Sequence, residues 1–447
     1  MVGWTHSFSA ERFNDIRAAW SREGIELPRP RSDVPILQSL DGVLLPGSPR
    51  QSAQRENNNV VQLSNTFSER RGRSALTVGF EFRRNLSNSL TLGLQNEAFG
   101  GEARIPDGLY VFDSLASFGL DQPFAFSIGV DPFATGPFRL PELRRKYRSS
   151  EFAFFLEDDL RLTSRFSLNI GLRYEYYGVL HNTDRSQDVN VYFGQGVSIE
   201  ERLANGVARS TDQNPGHLKG RLYRPDPLNL APSIGIAWDP FGRGRSVVRA
   251  GYAVAFDRVL DTIRDLRSND LQLVNCIPFE GCTPDSLRLP ATNMLPVLNQ
   301  GPVFLSPYSV VQLDEDLRTP YAQNWYFGLQ QTVTPNFLLE IGHAGSVGRK
   351  LLSRDVINRG IVGTPPANSR IGDDTFLSSA GNSNYLAMEI GLRRRFSRGL
   401  QYQASYTWSH AIDNQSDVFE GVSTDPRTGA FALASFTRQF DARVDRG

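Results

Sequence analysis

No stretch of this 447-residue chain reaches the roughly 18 to 20 consecutive apolar residues that a helix needs to cross a bilayer, which excludes a helical membrane protein. An excess of one charge is missing too. The 48 Lys and Arg balance 48 Asp and Glu, so nothing is left over to neutralise the many phosphates a general nucleic-acid binder contacts, and no nucleic-acid partner is expected. Lysine is scarce: Lys146, Lys219 and Lys350 are the only three, a bias read here as genome composition. The amino terminus, with Trp4, His6, Glu11 and Arg12, has no basic stretch leading into an apolar one, so no signal peptide is visible. Five scattered histidines (His6, His181, His217, His343, His410) form neither an H-E-x-x-H motif nor a Cys/His cluster, and no metal or cofactor is expected. Length alone would allow about three soluble domains, but β-barrels exceed that size as single units.

What is present has a period of two. In 167–178, Leu168, Ile170, Leu172, Tyr174 and Tyr176 fall on one face and Ser167, Asn169, Gly171, Arg173 and Glu175 on the other. Val248, Ala250, Tyr252, Val254 and Phe256 oppose Val247, Arg249, Gly251, Ala253 and Ala255 in the same way. Leu400, Tyr402, Ala404, Tyr406 and Trp408 repeat the pattern against Gln401, Gln403, Ser405, Thr407 and Ser409. Such strands match the roughly 9 to 11 residues that cross a bilayer at a tilt, and exceed the usual soluble strand.

Tight turns join these strands in pairs: 151–162 with 166–178, 231–238 with 246–256, 322–332 with 336–344, and 384–396 with 400–409. Weaker pairs are 2–9 with 12–21 and 61–68 with 75–84, giving six hairpins and about twelve strands. Between hairpins lie long links, 85–150, 179–230, 257–321 and 345–383, rich in Asn, Asp, Gly, Pro and Ser. Short turns alternating with long loops predict an all-β, transmembrane, antiparallel outer-membrane β-barrel with short periplasmic turns and long extracellular loops. Tyr174, Tyr176, Tyr177, Tyr252, Phe256, Tyr406 and Trp408 gather away from the short turns, as membrane-interface aromatics do. A soluble sandwich or propeller fits less well, since no propeller period is visible and sandwiches do not keep long loops at one end.

Phe154-Phe155-Leu156-Glu157-Asp158-Asp159-Leu160-Arg161, running on to Leu168-Asn169-Ile170-Gly171-Leu172-Arg173-Tyr174, resembles a strand pair of TonB-dependent receptor barrels. Asn229-Leu230-Ala231-Pro232, Ala237-Trp238-Asp239-Pro240-Phe241-Gly242 and Val248-Arg249-Ala250-Gly251-Tyr252 are similar to the Oar-like, acidobacterial subgroup. So are Arg318-Thr319-Pro320-Tyr321-Ala322-Gln323-Asn324-Trp325, Gly342-His343-Ala344-Gly345-Ser346-Val347-Gly348, and Ser383-Asn384-Tyr385 leading to Leu392-Arg393-Arg394-Arg395-Phe396-Ser397-Arg398-Gly399-Leu400. The resemblance implies the outer membrane of a Gram-negative-type bacterium, uptake of a large scarce solute captured by the loops, and a plug moved by the inner-membrane TonB complex. By the same resemblance, 1–447 is expected to be a barrel fragment without signal peptide, regulatory-like domain, plug or closing strands. The alternative is a plugless surface adhesion or structural barrel that binds extracellular polymers.

No constellation of residues converges on catalysis, and no enzyme activity is expected. In an alternating strand Glu157 and Asp159 share a face while Asp158 points away, so the acidic run reads as lumen lining, with Asp158 tolerable only near the interface. Gly342, Gly345 and Gly348 before Arg349-Lys350 lack the Gly-Lys-Ser/Thr of a phosphate loop. Asp184, Ser186 and Asp188 lack the glycine and distal Glu of a calcium loop. Arg165, Arg243, Arg245 and Arg398 at the short turns suit snorkelling or lipid-headgroup contact. In an exposed loop of an oxidising compartment, Cys276 and Cys282 are expected to form a disulfide.

Overall fold

The computed structural model describes residues 1–27, 34–46, 54–91, 108–258, 272–305, 308–358, 365–414, 423–424 and 431–432. Twelve long strands dominate: β1 (Val2–Ser9), β2 (Arg12–Leu27), β3 (Gln54–Arg71), β4 (Ser74–Thr91), β5 (Arg144–Arg161), β6 (Phe166–Tyr177), β7 (Asn229–Trp238), β8 (Ser246–Phe256), β9 (Tyr321–Thr334), β10 (Phe337–Ile357), β11 (Ile371–Ser397) and β12 (Leu400–Asp413). Each pairs antiparallel with the next in one continuous meander. All six sequence-derived hairpins are present. The β11–β12 turn shows the local chemistry: Arg398 and Gly399 both hold positive φ, 53° and 76°, the two-residue geometry that matches strand twist.

Register carries the alternation across the whole sheet. Leu63, Phe82, Phe152 and Tyr176 form one row of neighbours, and Phe80, Phe154, Tyr174 and Leu230 the next. Farther along, Ala250, Phe327, His343, Met388 and Trp408 share a row, as do Val248, Leu329, Ile341, Ile390 and Tyr406. These side chains are open to the surroundings: Phe154 is 51% exposed, Leu172 50% and Phe327 52%. An apolar face spanning twelve strands far exceeds the patch a soluble monomer leaves in water, so this face meets lipid. The opposite face carries Thr77, Glu81, Arg83, Glu151, Asn169, Arg173 and Glu175, and it lines the interior. Among the described residues β1 and β12 do not pair with each other, so the sheet remains open.

Several strands run beyond the membrane. β10 has 21 residues and β11 has 27, roughly two to three times what a tilted crossing requires, so the 345–383 link shortens to 358–370. Likewise the 85–150 link becomes 92–143. The links also fold, which their composition did not predict. Ile36–Ser39, Leu109–Phe112, Ala125–Val130, Gln272–Cys276 and Phe304–Leu305 form a second, five-stranded sheet drawn from three different loops. Its core is Tyr110, Phe112, Phe126, Ile128, Val274 and Met294, all fully buried. Beside it, the hairpin Val189–Tyr192/Val207–Ser210 packs on Tyr308–Leu313, which pairs in parallel with the upper end of β11.

Single cysteines, introduced in a Cys276→Ser/Cys282→Ser background, read this alternation directly. Leu168→Cys, Ile170→Cys and Leu172→Cys should react only with a lipid-soluble maleimide, and Asn169→Cys and Arg173→Cys with a water-soluble one; equal labelling of both sets would refute the register.

Candidate functional site

The inner wall is built around one small residue. A Cβ on Gly79 of β4 would lie 2.1 Å from the Phe155 ring of β5, so only glycine lets that ring lie flat against the wall. Arg173 of β6 then stacks over Phe155, 5.6 Å from the ring centre. From there its Nη2 donates to Glu81 Oε2 on β4 at 2.8 Å and its Nε to Glu175 Oε1 at 2.8 Å. Three strands, β4, β5 and β6, are thereby cross-linked. Above it Glu151 accepts from Arg258 at 3.1 Å and from Asn85 at 2.7 Å, with Arg83 at 3.8 Å. These groups line a concavity of about 440 Å³ with Gln62, Ser64, Tyr177 and Asp257. Each arginine here faces a carboxylate, which is how charge survives on a wall of restricted solvation.

Residues singled out in the sequence take definite places. Asn169 donates to Glu157 at 2.7 Å and to Asp159 at 2.8 Å, so these two acids meet on the inner wall. Asp158 faces the other way and accepts from Ser74 at 2.7 Å near the short-turn end. Gly342 through Lys350 lie inside β10, a strand and not a loop opening a helix. Asp184 caps a single 3₁₀ turn by accepting from Ser186. Tyr174, Tyr176, Tyr252 and Phe256 stand on the apolar face toward the long-loop ends of β6 and β8, Tyr252 donating to Gln323 at 3.0 Å. Tyr406 and Trp408, on the same face, stand mid-strand because β12 continues to Asp413.

The sequence reading missed the loop layer, whose joints are buried asparagines. Asn190 Nδ2 donates to Leu313 O at 3.0 Å and its Oδ1 accepts from Leu313 N at 2.8 Å, pairing two loops as a backbone would. Asn368 Nδ2 donates to Leu203 O and Gly206 O, both at 3.1 Å. Asn358, at φ 62°, gives its amide to Asn368 O and Ile371 O at 2.9 Å. In the five-stranded sheet Cys276 and Cys282 are bonded to each other, with Cα atoms 4.9 Å apart. Burial pushes the Asp188 carboxyl up to about 7, offset in part by the hydrogen bond from Asn182 N and by the charge of Arg145. Asp374, fully buried at the upper end of β11, is raised well above the carboxylate range by desolvation.

A family model described as an outer membrane beta barrel domain matches residues 1–447. Among solved structures, the outer membrane transporter YddB from Escherichia coli is similar at 13% identity with a TM-score of 0.53, covering 92% of this chain and 41% of that one. The copper transporter OprC aligns at 11% identity and a TM-score of 0.45, covering 92% and 48%. The FrpB iron transporter from Neisseria meningitidis aligns at 12% and 0.42, covering 94% and 44%. At such identities the likeness to YddB is one of fold. The chain spans less than half the length of these structures. No curated protein matches the sequence.

Two measurements address the loop layer. A carboxyl whose folded pKa exceeds its unfolded value near 3.9 lends its stability below that value and loses it as the pH rises through the folded one, here about 7 for Asp188. Amide exchange in 189–210, corrected for intrinsic rates, should therefore show more protection at about pH 5 than at about pH 8, by an amount on the order of a few kcal/mol. Asp188→Asn should remove most of that difference; an unchanged pH dependence would show that another group is responsible. Thiol quantitation of the unreduced protein should find Cys276 and Cys282 blocked, and Cys276→Ser/Cys282→Ser should speed proteolysis of the loop sheet while leaving the long strands folded.

Proposed function

The chain belongs to the outer membrane β-barrel domain family, whose place is the cell outer membrane, and from that premise we propose that it is wall and loop layer of a TonB-dependent transporter barrel for a large scarce solute. The observation that carries this reading is the inner wall. Arg173 bridges Glu81 and Glu175, and Glu151 meets Arg258, on the face turned away from lipid. A barrel that served only as a structural pillar could stay narrow and fill its interior with side chains, as small barrels do. A charged, hydrogen-bonded wall instead suits an interior occupied by water, solute or a polar plug.

The resemblance to the Oar-like subgroup supplies the rest of the proposal. A wide polar lumen needs a removable stopper, here a plug outside this barrel segment, and energy from the inner-membrane TonB complex. Further strands would cover the free edges of β1 and β12, since lipid leaves no other partner for those backbone groups. The loop layer, joined through Asn190, Asn358 and Asn368, would hold the captured solute at the mouth; oligosaccharides, peptides and metal chelates are all compatible with the proposal. The Cys276–Cys282 disulfide would hold its turn in the oxidising exterior.

Cells producing the complete native polypeptide, offered fluorescent oligosaccharides, peptides and metal chelates, should accumulate one class. That accumulation should vanish when TonB is deleted or the proton-motive force is collapsed. Binding of a polymer at the cell surface with no energy-dependent accumulation of any class would instead favour the adhesion reading.

A further inference from the structure

Two parts of the sheet treat arginine differently. On the inner wall Arg83, Arg173 and Arg258 each have a glutamate. On the outer face, just beyond the apolar band on the long-loop side, three arginines have only neutral hydrogen-bond partners among the described residues. Arg84 Nη1 donates to Ser150 Oγ at 2.6 Å. Arg22 Nη2 donates to Asn57 Oδ1 at 3.1 Å. Arg148 donates to Ser87 O at 3.1 Å, Tyr147 O at 2.7 Å and Asn88 Oδ1 at 3.0 Å. Neutral acceptors fix the orientation of a guanidinium but leave its charge uncompensated.

Register settles which way these side chains point. Arg84 shares a row with Trp20, Val61 and Ser150, one step beyond the row of Leu63, Phe82 and Phe152 on the lipid face. Arg22, Asn59, Leu86 and Arg148 form the following row, and Asn57, Asn88 and Lys146 the one after. Exposure agrees: the alternate residues Arg145, Tyr147 and Ser149 are buried beneath the loop layer, whereas Arg144 and Lys146 are exposed. Arg84 and Arg148 sit close enough to repel one another. The acids on this outer surface lie farther up, Glu26 bonded to Arg55 and Glu142 accepting from Arg144 N.

We infer that Arg22, Arg84 and Arg148, with Lys146, form a binding site for the phosphate groups of an anionic lipid in the outer leaflet. The apolar band below, with Phe82, Phe152 and Tyr176, would seat the acyl chains of the same molecule. Arg22 and Arg148 are three strand spacings apart, roughly 14 Å, wide enough for a headgroup bearing more than one phosphate. Guanidinium forks suit phosphate oxygens, and the low dielectric of the interface strengthens the pairing. This inference needs the outer-membrane location alone, so it stands or falls independently of transport.

The test uses the complete native polypeptide purified in detergent, titrated with lipid A as the probe and followed by native mass spectrometry. R84Q/R148Q should weaken lipid A binding tenfold or more, each charge being worth roughly fivefold. R84K/R148K, which keeps both charges, should stay within a few fold of the parent, and R202Q/R209Q, which removes the same charge from exposed positions of the loop layer, should bind as the parent does. Unchanged binding in a folded R84Q/R148Q, or an equal loss in R202Q/R209Q, would overturn the inference. Should R84Q/R148Q fail to fold, R22Q/K146Q at more exposed positions carries the same comparison. Full displacement of lipid A by inorganic phosphate at millimolar concentration would assign the site to free phosphate and overturn the lipid assignment.

Discussion

Hydrocarbon offers the backbone no hydrogen-bond partner, and the remainder of this structure follows from that constraint. Every crossing segment must give all its N–H and C=O groups to neighbouring strands, which a meander of hairpins achieves with the shortest connections on one side. Because side chains alternate, the same ladder that satisfies the backbone sorts Leu168, Ile170 and Leu172 to lipid and Asn169, Gly171 and Arg173 inward. A slip of one residue in the β5–β6 hairpin would send Arg173 into the apolar band and Leu172 into the lumen. The positive-φ turn at Arg398-Gly399 therefore fixes more than a local bend; it sets the sorting of a whole strand pair.

Charge placement obeys the same constraint with a different solution on each face. Inside, Gly79 lets Phe155 lie flat, Phe155 gives Arg173 a surface to cross, and Arg173 reaches carboxylates on either side of β5. No residue of that chain of contacts works without the one before it: a side chain at position 79 displaces the ring, and a displaced ring takes the path of the guanidinium. Outside, just above the apolar band, Arg22, Arg84 and Arg148 have neutral hydrogen-bond acceptors and no carboxylate among the described residues. Outside the membrane-spanning part a third solution appears, in which Asp188 and Asp374 are buried and their carboxyls raised instead of paired.

The strands were legible in the sequence because their signal is local and repeated. Six turns and a period of two suffice to place twelve strands and to assign 167–176 to faces; Tyr177, read with the interface aromatics, instead lines the inner wall, because its place in the alternation puts it opposite Tyr176. Strand ends were not legible: β11 begins at Ile371 because it pairs with Tyr308–Leu313, a partner about sixty residues upstream. The loop sheet was hidden for the same reason. Leu109-Tyr110-Val111-Phe112 and Ala125–Val130 are short apolar runs buried on both faces, so they show no alternation, and such runs were the available signal. The arginine asymmetry was also invisible. Arg83 and Arg84 are adjacent in the chain, yet one faces Glu151 and the other Ser150, and no property of the dipeptide distinguishes them before the register is known.

Two consequences of the open sheet bear on the proposed reading. Among the described residues β12 is an edge strand, exposed along most of its length, and lipid cannot satisfy the backbone groups of such an edge. Water could satisfy them only if it reached the edge, and the apolar face beside Tyr406 and Trp408 excludes it. The edges therefore call for strands, and strands added in the same alternation would continue both faces: lipid outside, polar wall inside. Closure would enlarge the lumen beyond anything twelve strands enclose, and a lumen of that width cannot be filled by side chains alone. Under the proposed reading the wall charges and the loop layer are then complementary parts of one arrangement, the first keeping a wide interior polar and the second governing what enters it.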